Sequence, residues 1–144
     1  MFSRTSEYVL RAMTFMAQHM DEWPLPGPRI AEQTGIPRKY LSNILSSLVR
    51  TGVLESAPGI GGGFRMARSP KVVFLQEVLE PFEPALGSTR PCPFGQELCN
   101  DTNACAGHER WERVRAIYND FLQHTSVHDI AVKQNGSTKK RKRR

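Results

Sequence analysis

Long apolar runs are missing from this 144-residue chain, and no stretch approaches the roughly 20 apolar residues that a helix needs to span a bilayer. The first residues also lack the apolar block and cleavage site of a secretory leader. These absences lead to the expectation of a soluble, cytoplasmic protein with no membrane partner. Paired acids, a nucleophile–base arrangement and a phosphate-binding GK[ST] loop are missing too, which speaks against an enzyme. Cysteine is scarce, with three in all. Pairing two would leave one over, so a secreted disulfide framework is a poor fit. The length suits one domain, or a small domain with an appended element.

Charge is unevenly placed. Residues 1–75 carry nine Lys/Arg against five Asp/Glu, net +4, whereas residues 76–138 carry five against nine, net −4. The tail Lys139 to Arg144 adds six cations. The basic half is expected to face a polyanion while the acidic half serves another purpose. The tail, over 133–144, is expected to be disordered.

Val9, Met13, Met16, Ala17 and Met20 recur at helical spacing, predicting an amphipathic helix over 6–20 with Thr5 or Ser6 as its cap. Pro24, Pro26 and Pro28 after Trp23 then interrupt the chain, and a second helix is expected to restart at about Pro28. Gly35 suits a left-handed helix end, and Pro37 suits the start of the next helix. That tight junction predicts a helix-turn-helix. In the following helix Tyr40, Leu41, Ile44, Leu45, Leu48 and Val49 supply an apolar face. Its other face carries Arg38, Lys39, Ser42, Asn43, Ser46, Ser47 and Arg50, without one carboxylate. Cations for phosphates beside small polar groups for base edges are what a major-groove reader requires.

Strand-like segments at Val53–Ser56 and Phe64–Arg68 flank a glycine-rich tip, predicting a β-hairpin wing. Gly61 and Gly62 let backbone approach a duplex closely, and Arg65 and Arg68 add charge. Leu75 to Leu79 predicts a short helix. Further on, Trp111, Val114, Ile117, Tyr118, Phe121 and Leu122 form one apolar stripe on a long helix. A chain this small has little core left to cover that stripe, so a second copy is expected against it.

Between the hairpin and that helix lies CPFGQELCNDTNACAGH, with Cys92, Cys99, Cys105 and His108. Three thiolates and an imidazole suit zinc or an iron–sulfur cluster. Gaps of six and five residues between the cysteines favour a cluster over the tight knuckle of a zinc site. The competing roles are a zinc site, a thiol redox switch, or small buried hydrophobes. The polar text between the thiols argues against the last.

Taken together, Ile30-Ala31-Glu32, Gly35-Ile36, Tyr40-Leu41, Gly52-Val53-Leu54, Gly59 with Gly61-Gly62-Gly63-Phe64, and Arg68-Ser69-Pro70 ahead of three cysteines resemble the IscR/NsrR (Rrf-type) family of iron–sulfur winged-helix regulators. The resemblance implies a homodimeric transcriptional regulator, most often a repressor, acting on a palindromic operator in double-stranded DNA under the control of a 2Fe-2S or 4Fe-4S cluster. Cys92, Cys99 and Cys105 match the cluster ligands, and His108 matches the fourth. Glu7 of the partner subunit is the runner-up. The DNA contacts it implies are Arg38, Lys39, Tyr40, Ser42, Asn43, Ser46, Arg50, Gly61, Gly62 and Arg65. Two departures stand out: a first cysteine gap longer than the commonest spacing, and Pro58 where relatives often carry arginine.

The expected fold class is mainly α with a small β-hairpin wing. A winged helix-turn-helix domain with its N-terminal helix fills 1–80, a cysteine-bearing loop 81–108, and a long dimerisation helix with a closing turn 104–132.

Overall fold

Ser3 opens the first helix: its hydroxyl accepts the Ser6 N–H at 3.1 Å, satisfying a donor that a helix start leaves unpaired. In the computed structural model, which describes residues 2–83, 92–95, 97 and 101–132, this helix, α1, runs Arg4–Gln18. The cap therefore precedes the expected Thr5 or Ser6. Ser6 is wholly buried because its hydroxyl turns inward to Glu83. Val9, Ala12, Met13 and Met16 are sealed in the core. Met20 departs from the predicted stripe, since α1 stops at Gln18 and Met20 begins a 3-10 turn that leaves it 47% exposed.

Helix α2 (Gly27–Thr34) ends on Gly35, whose φ of +70° only glycine adopts without strain; its N–H closes on Ala31 O at 2.9 Å. Helix α3 (Arg38–Arg50) follows and buries Leu41, Ile44, Leu45 and Leu48 against α1 and α2. Each such leucine contributes roughly 2 kcal/mol by burial. Tyr40 does not join that face. It stays 58% exposed, with its ring 6.2 Å from Tyr8 of α1.

Strands β1 (Leu54–Ala57) and β2 (Gly63–Met66) pair antiparallel, with Leu54 opposite Met66 and Ala57 opposite Gly63. The buried ends, Leu54 and Met66, root the hairpin in the core. Leu25 bridges the other edge of β2: its N–H donates to Phe64 O at 2.9 Å, and Phe64 N–H donates back at 2.8 Å. The proline-rich link thus forms a third rung.

After α4 (Leu75–Leu79), the next helices are α5 (His108–His124) and α6 (Val127–Ala131). Val127 N–H donates to Val73 O at 2.8 Å and Leu75 N–H to Thr125 O at 3.0 Å. Buried Val127 and Ala131 lay α6 along α1. The stripe of α5 divides: Tyr118 and Leu122 are buried, while Val114, Ile117 and Phe121 remain 38%, 74% and 44% exposed. Those three, with Phe2 and Tyr118, line an apolar groove of about 390 Å³. Among the described residues no helix is long and apolar enough to cross a membrane. The basic tail expected over 133–144 lies outside the described residues.

Candidate nucleic-acid interface and thiol site

The polar face of α3 emerges because its leucines and isoleucine are consumed inward. Arg38, Lys39, Tyr40, Ser42, Asn43, Ser46 and Arg50 are all exposed. Among the described residues, Arg38, Lys39 and Arg50 take part in no ion pair, so their charge is available to an outside anion. Arg38, Ser42 and Ser46 share a cleft of about 310 Å³ with Gly27, Pro28 and the Phe64 ring of β2. The helix and the wing therefore flank one side of the molecule.

The wing's cations have carboxylate neighbours. Arg65 Nε lies 3.0 Å from Glu55 Oε2 across the hairpin, because these residues are register partners, and Arg68 is paired with Glu77 of α4. Opposite charges facing across a strand pair attract, so Arg65 is partly neutralised before any phosphate arrives. Gly61 and Gly62 sit at the tip, with a φ of +76° at Gly61.

In the cysteine segment, Cys92 Sγ and Cys105 Sγ stand 3.6 Å apart and are not joined in a disulfide. A disulfide would need about 2.05 Å. Two thiolates on one tetrahedral ion with bonds near 2.3 Å stand about 3.8 Å apart, so this pair fits a shared metal centre. The Phe94 N–H donates to Cys92 Sγ at 3.4 Å. Phe94 itself packs edge-on against Trp111 at 6.2 Å, and its ring leaves only 3.0 Å for any Cβ at Gly107. These ring contacts pin the Cys92 turn to the start of α5, which brings Cys92 beside Cys105. Phe94 played no part in the sequence reading; an aromatic inside a polar thiol loop was the available signal.

His108 begins α5, is 7% exposed, and its Nε2 lies 2.8 Å from Asp101 Oδ1. The structure does not gather it with the two thiols. Among the described residues, no group of three or more His, Cys, Asp and Glu side chains forms a metal shell. Cys99 lies outside the described residues. Glu7 is exposed in the first turn of α1.

α1 carries contacts on two of its faces. Ser6 Oγ donates to Glu83 Oε2 at 2.6 Å, tying α1 to the last residue described before the cysteine segment. On the next turn face, Tyr8 lies under the Arg11 guanidinium at 5.5 Å and against Tyr40 of α3.

Comparison with known proteins agrees with this architecture. The fold is similar to CymR, described as the global cysteine regulator of B. subtilis, with a TM-score of 0.76 at 23% identity over 91% of this chain and 95% of that one. It is likewise similar to T. potens IscR, with a TM-score of 0.72 at 24% identity over 90% and 85%. In sequence the chain is 31% identical over 127 residues to the HTH-type transcriptional regulator IscR of Xenorhabdus nematophila, covering 88% of this chain and 76% of that protein. The IscR of Aliivibrio salmonicida is 30% identical over 125 residues, 87% and 73% of the two chains. A family model described as Rrf2, iron-dependent transcriptional regulator, matches residues 2–133. The chain belongs to the Rrf2 family, whose members are DNA-binding transcriptional regulators rather than enzymes.

Proposed function

We propose that the chain is a homodimeric transcriptional regulator, acting as a repressor, whose grip on a palindromic operator is set by an iron–sulfur cluster. The observation that carries the reading is the 3.6 Å approach of the Cys92 and Cys105 sulfurs, close to the separation that two thiolates take on one tetrahedral metal. Cys92, Cys99 and Cys105 would hold the cluster, with His108 as fourth ligand and the partner's Glu7 as runner-up. Bound there, a 2Fe-2S or 4Fe-4S centre supplies thiolate–iron bonds open to redox chemistry, nitric oxide or changing cluster supply.

This chain's residues do the rest. Residues 1–80 form the DNA-reading unit, 81–108 the sensing segment, and 104–132 the dimerisation helix with its closing turn. Arg38, Lys39 and Arg50 bind phosphates, while Ser42, Asn43 and Ser46 face base edges. The exposed Val114, Ile117 and Phe121 take the same groove of a second copy, which gives the two-fold symmetry a palindrome demands. Glu83 and Ser6 transmit the state of the sensing segment to α1, and Tyr8 passes it to Tyr40 on the recognition helix. Operator titration with cluster-loaded and cluster-free protein at one salt concentration tests this; equal affinities would remove the switch.

A second reading rests on the same pair. Two thiols at 3.6 Å also suit a zinc site or a thiol switch that closes to a disulfide on oxidation. Oxygen-free purification separates the readings: brown protein with iron and sulfide supports the cluster, and colourless protein with zinc or no metal supports the alternative.

A further inference from the structure

The wing is built to present one side chain. Residues 56–64 contain no charged group, and at their apex Ile60 is 109% exposed. Gly59 and Gly61 flank it at φ of +88° and +76°, and Gly62 N–H closes the turn on Gly59 O at 3.1 Å. A Cβ at Gly62 would lie 2.0 Å from Ala57 O, so the turn admits little besides glycine around the isoleucine. Ile60 is also β-branched, which keeps it stiff. The hairpin beneath it is anchored on both edges of β2, by β1 and by Leu25.

The hairpin's cations already have carboxylate partners, Glu55 for Arg65 and Glu77 for Arg68, so its uncharged tip offers a contact of a different kind. Yet Phe64 shares its cleft with Arg38, Ser42 and Ser46, so a duplex seated on α3 meets the wing as well. An isolated exposed apolar residue is ordinary on a protein surface. One held at a glycine-fixed apex, with no charge within four residues along the chain on either side, on the hairpin whose Phe64 lines the α3 cleft, is a shape suited to insertion between bases.

We propose that Ile60 enters the minor groove and wedges a base step open, so that the chain bends its operator at the wing and selects there for deformable pyrimidine–purine steps. This rests on the reading that α3 and the wing grip duplex together. Apolar side chains inserted this way kink DNA by roughly 20–90° toward the major groove. TA and CA/TG steps unstack most readily, so the wing would read stiffness without touching a base edge. An apolar contact displaces no counterions, so its contribution differs from that of Arg38 or Lys39 in salt dependence.

The test uses the full chain and duplexes enriched by wild-type protein from a random-sequence pool, then bound by wild type, I60A and I60S. Expected are TA or CA/TG steps at the wing flank in the enriched set, and an end-to-end energy-transfer signal showing a bend. I60A and I60S should lose affinity on the order of 10-fold and lose most of the bend, while the salt slope stays the same. Replacing the flanking step by a stiff A-tract should weaken wild type but not I60A. Both variants should melt like wild type, since the side chain touches nothing in the fold. Unchanged affinity and bend in I60A, on duplexes that wild type does bind, would overturn the wedge alone. A pool from which wild type enriches nothing would overturn the shared grip of α3 and the wing, and the wedge with it.

Discussion

Ser6 and Glu83, 77 residues apart in sequence, meet through a hydroxyl–carboxylate hydrogen bond of 2.6 Å beside the start of α1. Ser6 is fully buried, so it has no water to replace that bond. S6A is expected to cost about 1–3 kcal/mol of stability, measured by denaturant unfolding. E83Q preserves shape but weakens the acceptor. In both variants the ratio of operator affinities with and without the cluster should fall toward one, while a ratio equal to wild type would show that the bond is structural only.

The cations of α3 and of the wing should separate in a salt titration. R38A and K39A are each expected to lower the salt slope of operator binding by about 0.9, the signature of one lost phosphate contact. R65A should change it little, because Glu55 already holds that guanidinium. E55A frees Arg65 and should tighten binding.

Asp101 is the carboxylate facing the His108 imidazole. Carboxylates behind a ligating histidine fix its orientation, and their loss typically weakens metal affinity about 10- to 100-fold. D101N and H108A proteins, loaded without oxygen, should bleach faster under a chelator than wild type as followed by visible absorption. C92A and C105A should fail to load. Identical bleaching in wild type and H108A would eliminate His108 as a ligand.

Ile117 is the most exposed member of the α5 groove, at 74%. I117E should therefore leave the folded protomer's secondary structure intact while shifting sedimentation from dimer to monomer. A dimer of wild-type strength would place the subunit interface elsewhere.

The cap of α6 gives a pH dependence. The backbone and side chain of Ser126 hydrogen-bond the Asp129 carboxylate and hold its pKa below the usual 3.8. A carboxyl lowered on folding adds stability above its unfolded pKa, and the gain disappears as pH falls through the folded value. Thermal melts from neutral pH downward should show an acid loss that D129N diminishes. S126A should cost about 1 kcal/mol at neutral pH by removing the cap.

The helices were legible because their burial repeats: Leu41, Ile44, Leu45 and Leu48 mark α3 from sequence, and Gly35 marks the left-handed end before it. Leu75–Leu79 likewise follows the expected span. Leu25 was not legible. A single residue between prolines carries no period, and only the fold reveals that its backbone pairs with Phe64. Tyr40 sits at an apolar position of the helical repeat, yet its ring leans outward onto Tyr8, a partner distant in sequence. In the cysteine segment the residue types were readable but their partners were not. The Asp101–His108 pair and the Phe94–Trp111 contact depend on how a loop folds over the start of α5, which local spacing does not encode.

The double seam between Leu25 and Phe64 has a mechanical result. It joins the lead-in to α2 to β2, so under the proposed reading a shift of α2 would carry the wing with it and the two would meet a duplex as one piece.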